Sequence, residues 1–114
     1  MTNPVAKGEL SRARQLLHEE VREDELQRSI LDLAGLQGWM AFHVLDSRGS
    51  TGPGFPDLVL ARAPRLLFRE LKRVKGVVTA QQQRWLDELG RCTEVSAGVW
   101  RPGDWETIEE ALRR

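Results

Sequence analysis

The stretch Gly54–Lys75, GFPDLVLARAPRLLFRELKRVK, decides the fold, because it holds two apolar runs separated by a turn. The first run, Asp57 to Ala61 (DLVLA), is continuously apolar after its leading acid, as expected of a strand covered on both faces. The second, Leu66 to Arg73, follows Ala63, Pro64 and Arg65 and alternates. Leu66, Phe68, Glu70 and Lys72 fall on one face, and Leu67, Arg69, Leu71 and Arg73 on the other. Pairing of the two runs as a hairpin brings Asp57 beside Glu70, so that two carboxylates and the Lys72 ammonium group meet at a sheet edge. Charges at the end of an otherwise buried face cost free energy unless they are paired or bind an ion. This grouping suits a hard divalent cation and an attacking water.

Upstream, Met1 to about Lys7 reads as an unstructured lead. Leu10, Ala13, Leu16, Leu17 and Val21 recur at spacings of three and four, which predicts a short amphipathic helix over Glu9–Val21, packed on the domain or on a second copy. A stronger pattern, Leu26, Ile30, Leu33 and Ala34, predicts a helix from about Arg22 to Gln37. Glu23 lies three before Leu26 and seven before Ile30, hence inward at the helix start, with Asp24 and Glu25 more to the side. Acids in a first turn also meet the positive end of the helix dipole. After Gly38, Trp39 to Leu45 (WMAFHVL) predicts a first strand, with His43 on the face of Ala41 and Leu45. The segment DSRGSTGPGF that follows is a loop without strong local preference, able to be mobile, from which Arg48 could reach a phosphate.

Downstream, Thr79 and Gln82 have the spacing of a capping box on a helix that carries Trp85, Leu86 and Leu89 and stops at Gly90. Gln82 also falls on the inward side of that helix's first turn. Glu94 to Trp100 (EVSAGVW) predicts a fourth strand, and Asp104 the cap of a last helix with Trp105, Ile108 and Leu112 facing the core.

The 114 residues, 40% hydrophobic and 30% charged, match a single domain, with residues 1–21 as lead and short helix and 22–114 as the body. No run approaches a membrane span and no hydrophobic signal region opens the chain, so a cytoplasmic protein is expected. The one cysteine, Cys92, excludes an internal disulfide framework and a thiolate cluster within one chain, leaving oxygen ligands for any metal. Net charge is zero, yet six bases (Arg62, Arg65, Arg69, Lys72, Arg73, Lys75) stand against Glu70 alone between residues 62 and 75. That reads as positive charge gathered around the site, or as an edge guarded against aggregation.

Phosphodiester hydrolysis needs an activated water and stabilised charge on the phosphoryl and leaving oxygens, and Mg²⁺ held by carboxylates and waters provides much of this. Asp57, Glu70 and the Leu71 carbonyl are candidate metal ligands, with Glu23 binding directly or through a water. Lys72 is the candidate to orient the nucleophile and offset developing charge. His43, Arg48, Arg69, Arg73 and Lys75 are the candidate DNA contacts.

A Pro-Asp followed by Glu-x-Lys is a weak signal alone, but the order of the pieces is specific. A helix with an inward Glu, a strand, Pro56-Asp57, Glu70-Leu71-Lys72 and a helix with an inward Gln resembles the PD-(D/E)xK nuclease superfamily. Gly38-Trp39 with His43, Gly54-Phe55-Pro56-Asp57, Phe68 to Lys72, Gly76 with Thr79-x-x-Gln82-x-x-Trp85-Leu86, and Trp100-Arg101-Pro102 with Asp104 resemble, within it, the small VRR-NUC proteins over about Glu23 to Leu112. The resemblance implies an α/β restriction-endonuclease-like core, a four-stranded mixed sheet flanked by helices in the order α-α-β-β-β-α-β-α. It also implies a stand-alone nuclease of phages or bacteria that acts as a homodimer on branched DNA such as Holliday junctions. Mg²⁺, or alternatively Mn²⁺, would be held by Asp57 and Glu70, with Lys72 as catalytic lysine, Glu23 as helix acid and Gln82 as motif glutamine. Arg22 departs from the capping Ser or Thr of the pattern, and the choice between Glu23 and Glu25 stays open. A DNA-binding or scaffolding module that keeps the fold without the chemistry is the alternative.

Overall fold

A computed structural model describes residues 7–114, and its elements follow in the predicted order. They are α1 (Lys7–Glu19), α2 (Glu23–Leu36), β1 (Met40–His43), β2 (Leu58–Arg62), β3 (Arg65–Leu71), α3 (Ala80–Gly90), β4 (Val95–Trp100) and α4 (Trp105–Arg113). A 3₁₀ turn, Pro102–Asp104, precedes α4. Most of the lead expected over Met1 to about Lys7 lies outside the described residues.

The sheet runs β1-β2-β3-β4, with β1/β2 and β2/β3 antiparallel and β3/β4 parallel, the mixed sheet expected. The β2–β3 hairpin closes on Arg62 opposite Arg65, around a cis Ala63–Pro64 peptide. Leu58 lies opposite Arg69, so the residue before it, Asp57, is carried to the level of Glu70. Asp57 itself stands just ahead of β2, with its carbonyl accepting the Val44 N–H at 2.8 Å.

One face of the sheet, through Leu58, Leu60, Leu67 and Leu71, packs with Leu26, Ile30 and Ala34 of α2 and Ile108, Ala111 and Leu112 of α4. The other face carries Phe68, which meets Phe55 edge-to-face at 5.9 Å; Phe55 in turn meets Trp85 of α3 at 5.0 Å. Both faces of β3 are thus covered, which is why β2 and β3 are apolar on both sides.

Several expectations are corrected. Arg62 and Arg65 do not surround the site but lie at the opposite end of the hairpin, stacked on Trp39 at 4.6 and 4.9 Å. Arg62 donates to the carbonyls of Gln37 (2.8 Å) and Leu112 (3.1 Å), Arg65 to that of Ala111, and Trp39 Nε1 to that of Leu112 (2.8 Å). The free carbonyls at the ends of α2 and α4 are satisfied by cations there, where the helix dipole favours them.

Arg69, expected at the DNA surface, is 9% exposed. Its guanidinium stacks on Trp100 at 4.7 Å and donates to the Phe68 and Ser96 carbonyls and to Ser96 Oγ. The Asp104 side chain does not cap α4; it turns back to accept the Arg101 N–H at 2.8 Å. Trp39 and Trp100 are buried, and none of the tryptophans is fully exposed.

The expected stripe on α1 is uncovered at Leu16 and Leu17, and the helix meets the body at the 3₁₀ turn. The loop read as mobile is tied to itself: Ser47 Oγ accepts the Gly54 N–H, Ser50 Oγ accepts the Gly52 N–H, and Arg48 binds Asp46.

Candidate active site

The site lies where β2 begins and β3 ends, with the first turns of α2 and α3 reaching it from opposite faces of the sheet. Alternation along β3 turns Glu70 and Lys72 to the side of α3. Lys72 Nζ stands 3.7 Å from Glu70 Oε2, with 12% of its side chain exposed against 4% for Glu70. Asp57 Oδ2 accepts the Leu71 N–H at 2.7 Å, at the point where the β2 ladder has run out, so a side chain replaces the missing strand partner. A strand residue directs its N–H and C=O to the same neighbour. The Leu71 carbonyl is therefore directed to the Asp57 side, and Leu71 lines the cleft there.

The carboxyl groups of Asp57 and Glu70 lie beside each other at this end of the sheet. Burial, then the neighbouring Asp57 carboxyl, push Glu70 up to about 8; the Lys72 ammonium pulls the other way and Glu23 adds a smaller upward push. Gln82 Nε2 donates to Glu70 Oε2 at 3.1 Å. Its Oε1 accepts the Thr79 N–H at 2.8 Å, while Thr79 Oγ1 accepts the Gln82 N–H, so the expected capping box forms and also fixes which end of the amide faces Glu70. Glu70 Oε1 is buried without a hydrogen-bond partner.

A cleft of about 410 Å³ adjoins the pair, lined by Arg22, Glu23, Asp24, Gln27, Asp57, Leu71 and Arg73. Glu23 lines it and Glu25 does not; Glu25 and Asp24 pair with Arg22 at 3.1 Å. Gln27, which the sequence reading passed over, lines it as well; its position one turn after Glu23 was the available signal. A second cleft, between the 51–53 segment and α3, contains Trp85, Gln81 and Arg84 but none of the carboxylates described above.

Among the predicted DNA contacts, Arg73 is exposed on the cleft rim, with Nη2 3.4 Å from the Glu19 carbonyl. Lys75 lies 3.8 Å from a Glu19 oxygen and is 81% exposed. His43 ends β1 opposite Leu58, exposed at the same end of the sheet. Arg48 is exposed but bound to Asp46.

Among the described residues, no three His, Cys, Asp or Glu side chains gather at metal-ligand spacing. Two carboxylates and a carbonyl fit Mg²⁺ better than a protein-caged metal, because that ion retains several waters and takes one or two carboxylates. The partnerless Glu70 oxygen, beside the Asp57 carboxyl group, is the position a cation would fill. No described helix is long and apolar enough to cross a membrane. A sequence model of the VRR-NUC domain matches residues 6–101. No curated protein and no solved structure gives a match.

Proposed function

Because the chain belongs to the VRR-NUC domain family, nucleases of the PD-(D/E)xK type, we propose that it is a divalent-metal-dependent DNA endonuclease selective for branched structures such as Holliday junctions. The observation that carries this reading is the buried Glu70 carboxyl beside the half-buried Asp57 carboxyl, with the Lys72 ammonium 3.7 Å from Glu70 Oε2.

Asp57, fixed by the Leu71 N–H, and Glu70, fixed by Gln82, offer the two carboxylates that hold Mg²⁺ or Mn²⁺. The Leu71 carbonyl adds a third oxygen, and Glu23 faces the same cleft to bind through a water. Bound there, the ion would polarise a phosphoryl oxygen and offset charge on the leaving group. Lys72 orients the attacking water and neutralises charge developing on the phosphate. Gln82 keeps Glu70 from turning away. Arg73 and Lys75 on one side, and His43 and Arg48 on the other, hold the substrate backbone; Arg69 is excluded by its internal bonds.

A homodimer is part of the proposal, since two sites related by a two-fold axis permit paired cuts in a branched substrate. Supporting it, the edge strand β1 exposes Met40 and Phe42 (78% and 66%), and Leu36 at the end of α2 and Leu45 just past β1 are exposed as well (84% and 87%). An unguarded edge of this kind pairs readily with a copy of itself.

The test is a panel of four-way junction, nicked flap and plain duplex, each with Mg²⁺ or EDTA. Cleavage is expected with Mg²⁺, strongest on the junction. Asp57→Asn and Lys72→Ala are expected to lose at least about a hundredfold in rate while retaining the fold and much of the DNA affinity. Full activity in either variant overturns the site, equal cleavage of all substrates overturns the selectivity, and binding without cleavage by the parent protein favours a non-catalytic module.

A further inference from the structure

Arg101 follows β4, and its backbone is pinned by Asp104 Oδ2 on its N–H. Its side chain reaches back across the sheet end to the segment that leaves β3. There Nη1 donates to the carbonyls of Arg73 (2.7 Å), Gly76 (2.8 Å) and Val74 (3.2 Å). The same segment is closed on itself by the Gly76 N–H on the Arg73 carbonyl at 3.0 Å. Arg101 therefore holds a turn whose carbonyls point inward at one cation, an arrangement that fixes backbone course more tightly than a surface loop requires.

That turn directly follows Lys72 and leads to Thr79. At Gly76 a Cβ would stand 3.3 Å from Lys72 Cδ and 3.3 Å from the Arg73 nitrogen, so the aliphatic stem of Lys72 lies directly against this glycine. The turn is the wall on which the lysine rests, and the lysine's other end meets Glu70. Three residues past the glycine, Thr79 starts the helix that sets Gln82 on Glu70.

We propose that Arg101 is a positioning residue: by clasping the carbonyls of Arg73, Val74 and Gly76 it fixes the wall that aims Lys72 at Glu70. The inference rests on the reading of Lys72 as the catalytic lysine. It assigns to Arg101 no contact with DNA or metal, and acts through a misplacement that catalysis resolves; displacement of a reacting group by about 1 Å is enough for a loss on the order of a hundredfold.

The experiment compares Arg101→Gln, Arg101→Lys, Gly76→Ala and Lys72→Ala with the parent chain. It measures kcat and KM on the best-cleaved substrate, DNA affinity in EDTA, and amide hydrogen exchange. Arg101→Gln is expected to lower kcat at least about tenfold with KM and DNA affinity unchanged. Exchange at residues 74–78 should accelerate while that of Leu66–Leu71 does not. Arg101→Lys, which keeps a single donor group, should recover part of kcat, and Gly76→Ala, which presses on Lys72 with the clasp intact, should lower kcat as well. A parental kcat in Arg101→Gln or Gly76→Ala, or a rise in KM alone, overturns the inference when Lys72→Ala is inactive. Activity in Lys72→Ala overturns the underlying reading instead. Should Arg101→Gln fail to fold, Gly76→Ala decides.

Discussion

At Glu70 the fold keeps a carboxyl group nearly out of water, opposite a second carboxyl, and the consequence is measurable without DNA. Its pKa stands at about 8 in the folded chain against 4.5 for the free side chain. A carboxyl raised in this way binds its proton more tightly folded than unfolded. Its contribution to stability is full below about pH 4.5, is lost as pH rises through about 8, and amounts to several kcal/mol. Metal-free protein is therefore expected to melt at progressively lower temperature between pH 5 and pH 8. Glu70→Gln should flatten that slope, and millimolar Mg²⁺ or Mn²⁺ should raise the melting temperature most at the alkaline end. A metal-free melting temperature independent of pH over this range would contradict the raised Glu70 carboxyl. Asp57, Glu70 and Lys72 were legible in the sequence because strand alternation alone puts the last two on one face and a hairpin brings up the first. Arg62, Arg65 and Arg69 were not, since a run of bases in one dimension does not say which of them an aromatic ring will claim.

Among the elements, α3 and the 46–56 loop share a contact that tolerates no side chain. Gly54 has a φ of +87°, and a Cβ there would stand 2.7 Å from the backbone of Gln81. Glycine serves both needs, the left-handed backbone and the close approach. Gly54→Ala is expected to cost at least about 2 kcal/mol and, by displacing the first turn of α3, to lower nuclease activity beyond what the lost stability explains. A melting temperature within 2 °C (roughly 0.5 kcal/mol at this size) of the parent would contradict it. The order and type of the elements were legible from period-two and period-3.6 patterns and from the capping box at Thr79. The restraint on the loop was not, because its glycines and serines read as freedom when seen locally, whereas here the serine hydroxyls close hydrogen bonds and the glycines admit neighbours.

For the whole molecule, the uncovered side of β1 sets the expected assembly. Met40→Lys with Leu45→Lys places charge on two side chains that touch little within one copy, so the fold should survive while a dimer joined at this edge dissociates. Sedimentation or light scattering at working concentration checks this, and a parent chain that stays monomeric with and without DNA removes the dimer from the proposal. The sequence carried the architecture at this scale through the order of its pieces, but not where a partner would sit. The hydrophobic stripe on α1 was the visible candidate, and the exposure of β1 on both faces became apparent only once the sheet order placed it at an edge.

The arginines folded inward around Trp39 and Trp100 have one more consequence, which concerns counterions. Of the six bases between residues 62 and 75, only Lys72, Arg73 and Lys75 lie at the end of the sheet where a phosphate would arrive. This stretch can then displace only about three condensed cations per copy, and the logarithm of affinity should fall with the logarithm of salt by about three from it rather than six. Arg73→Gln and Lys75→Gln should each lower that slope by about one, whereas Arg62→Gln and Arg65→Gln should leave it unchanged and reduce the melting temperature. On the proposed reading, so small a charge term from this stretch leaves more of the discrimination between substrates to shape than to phosphate attraction.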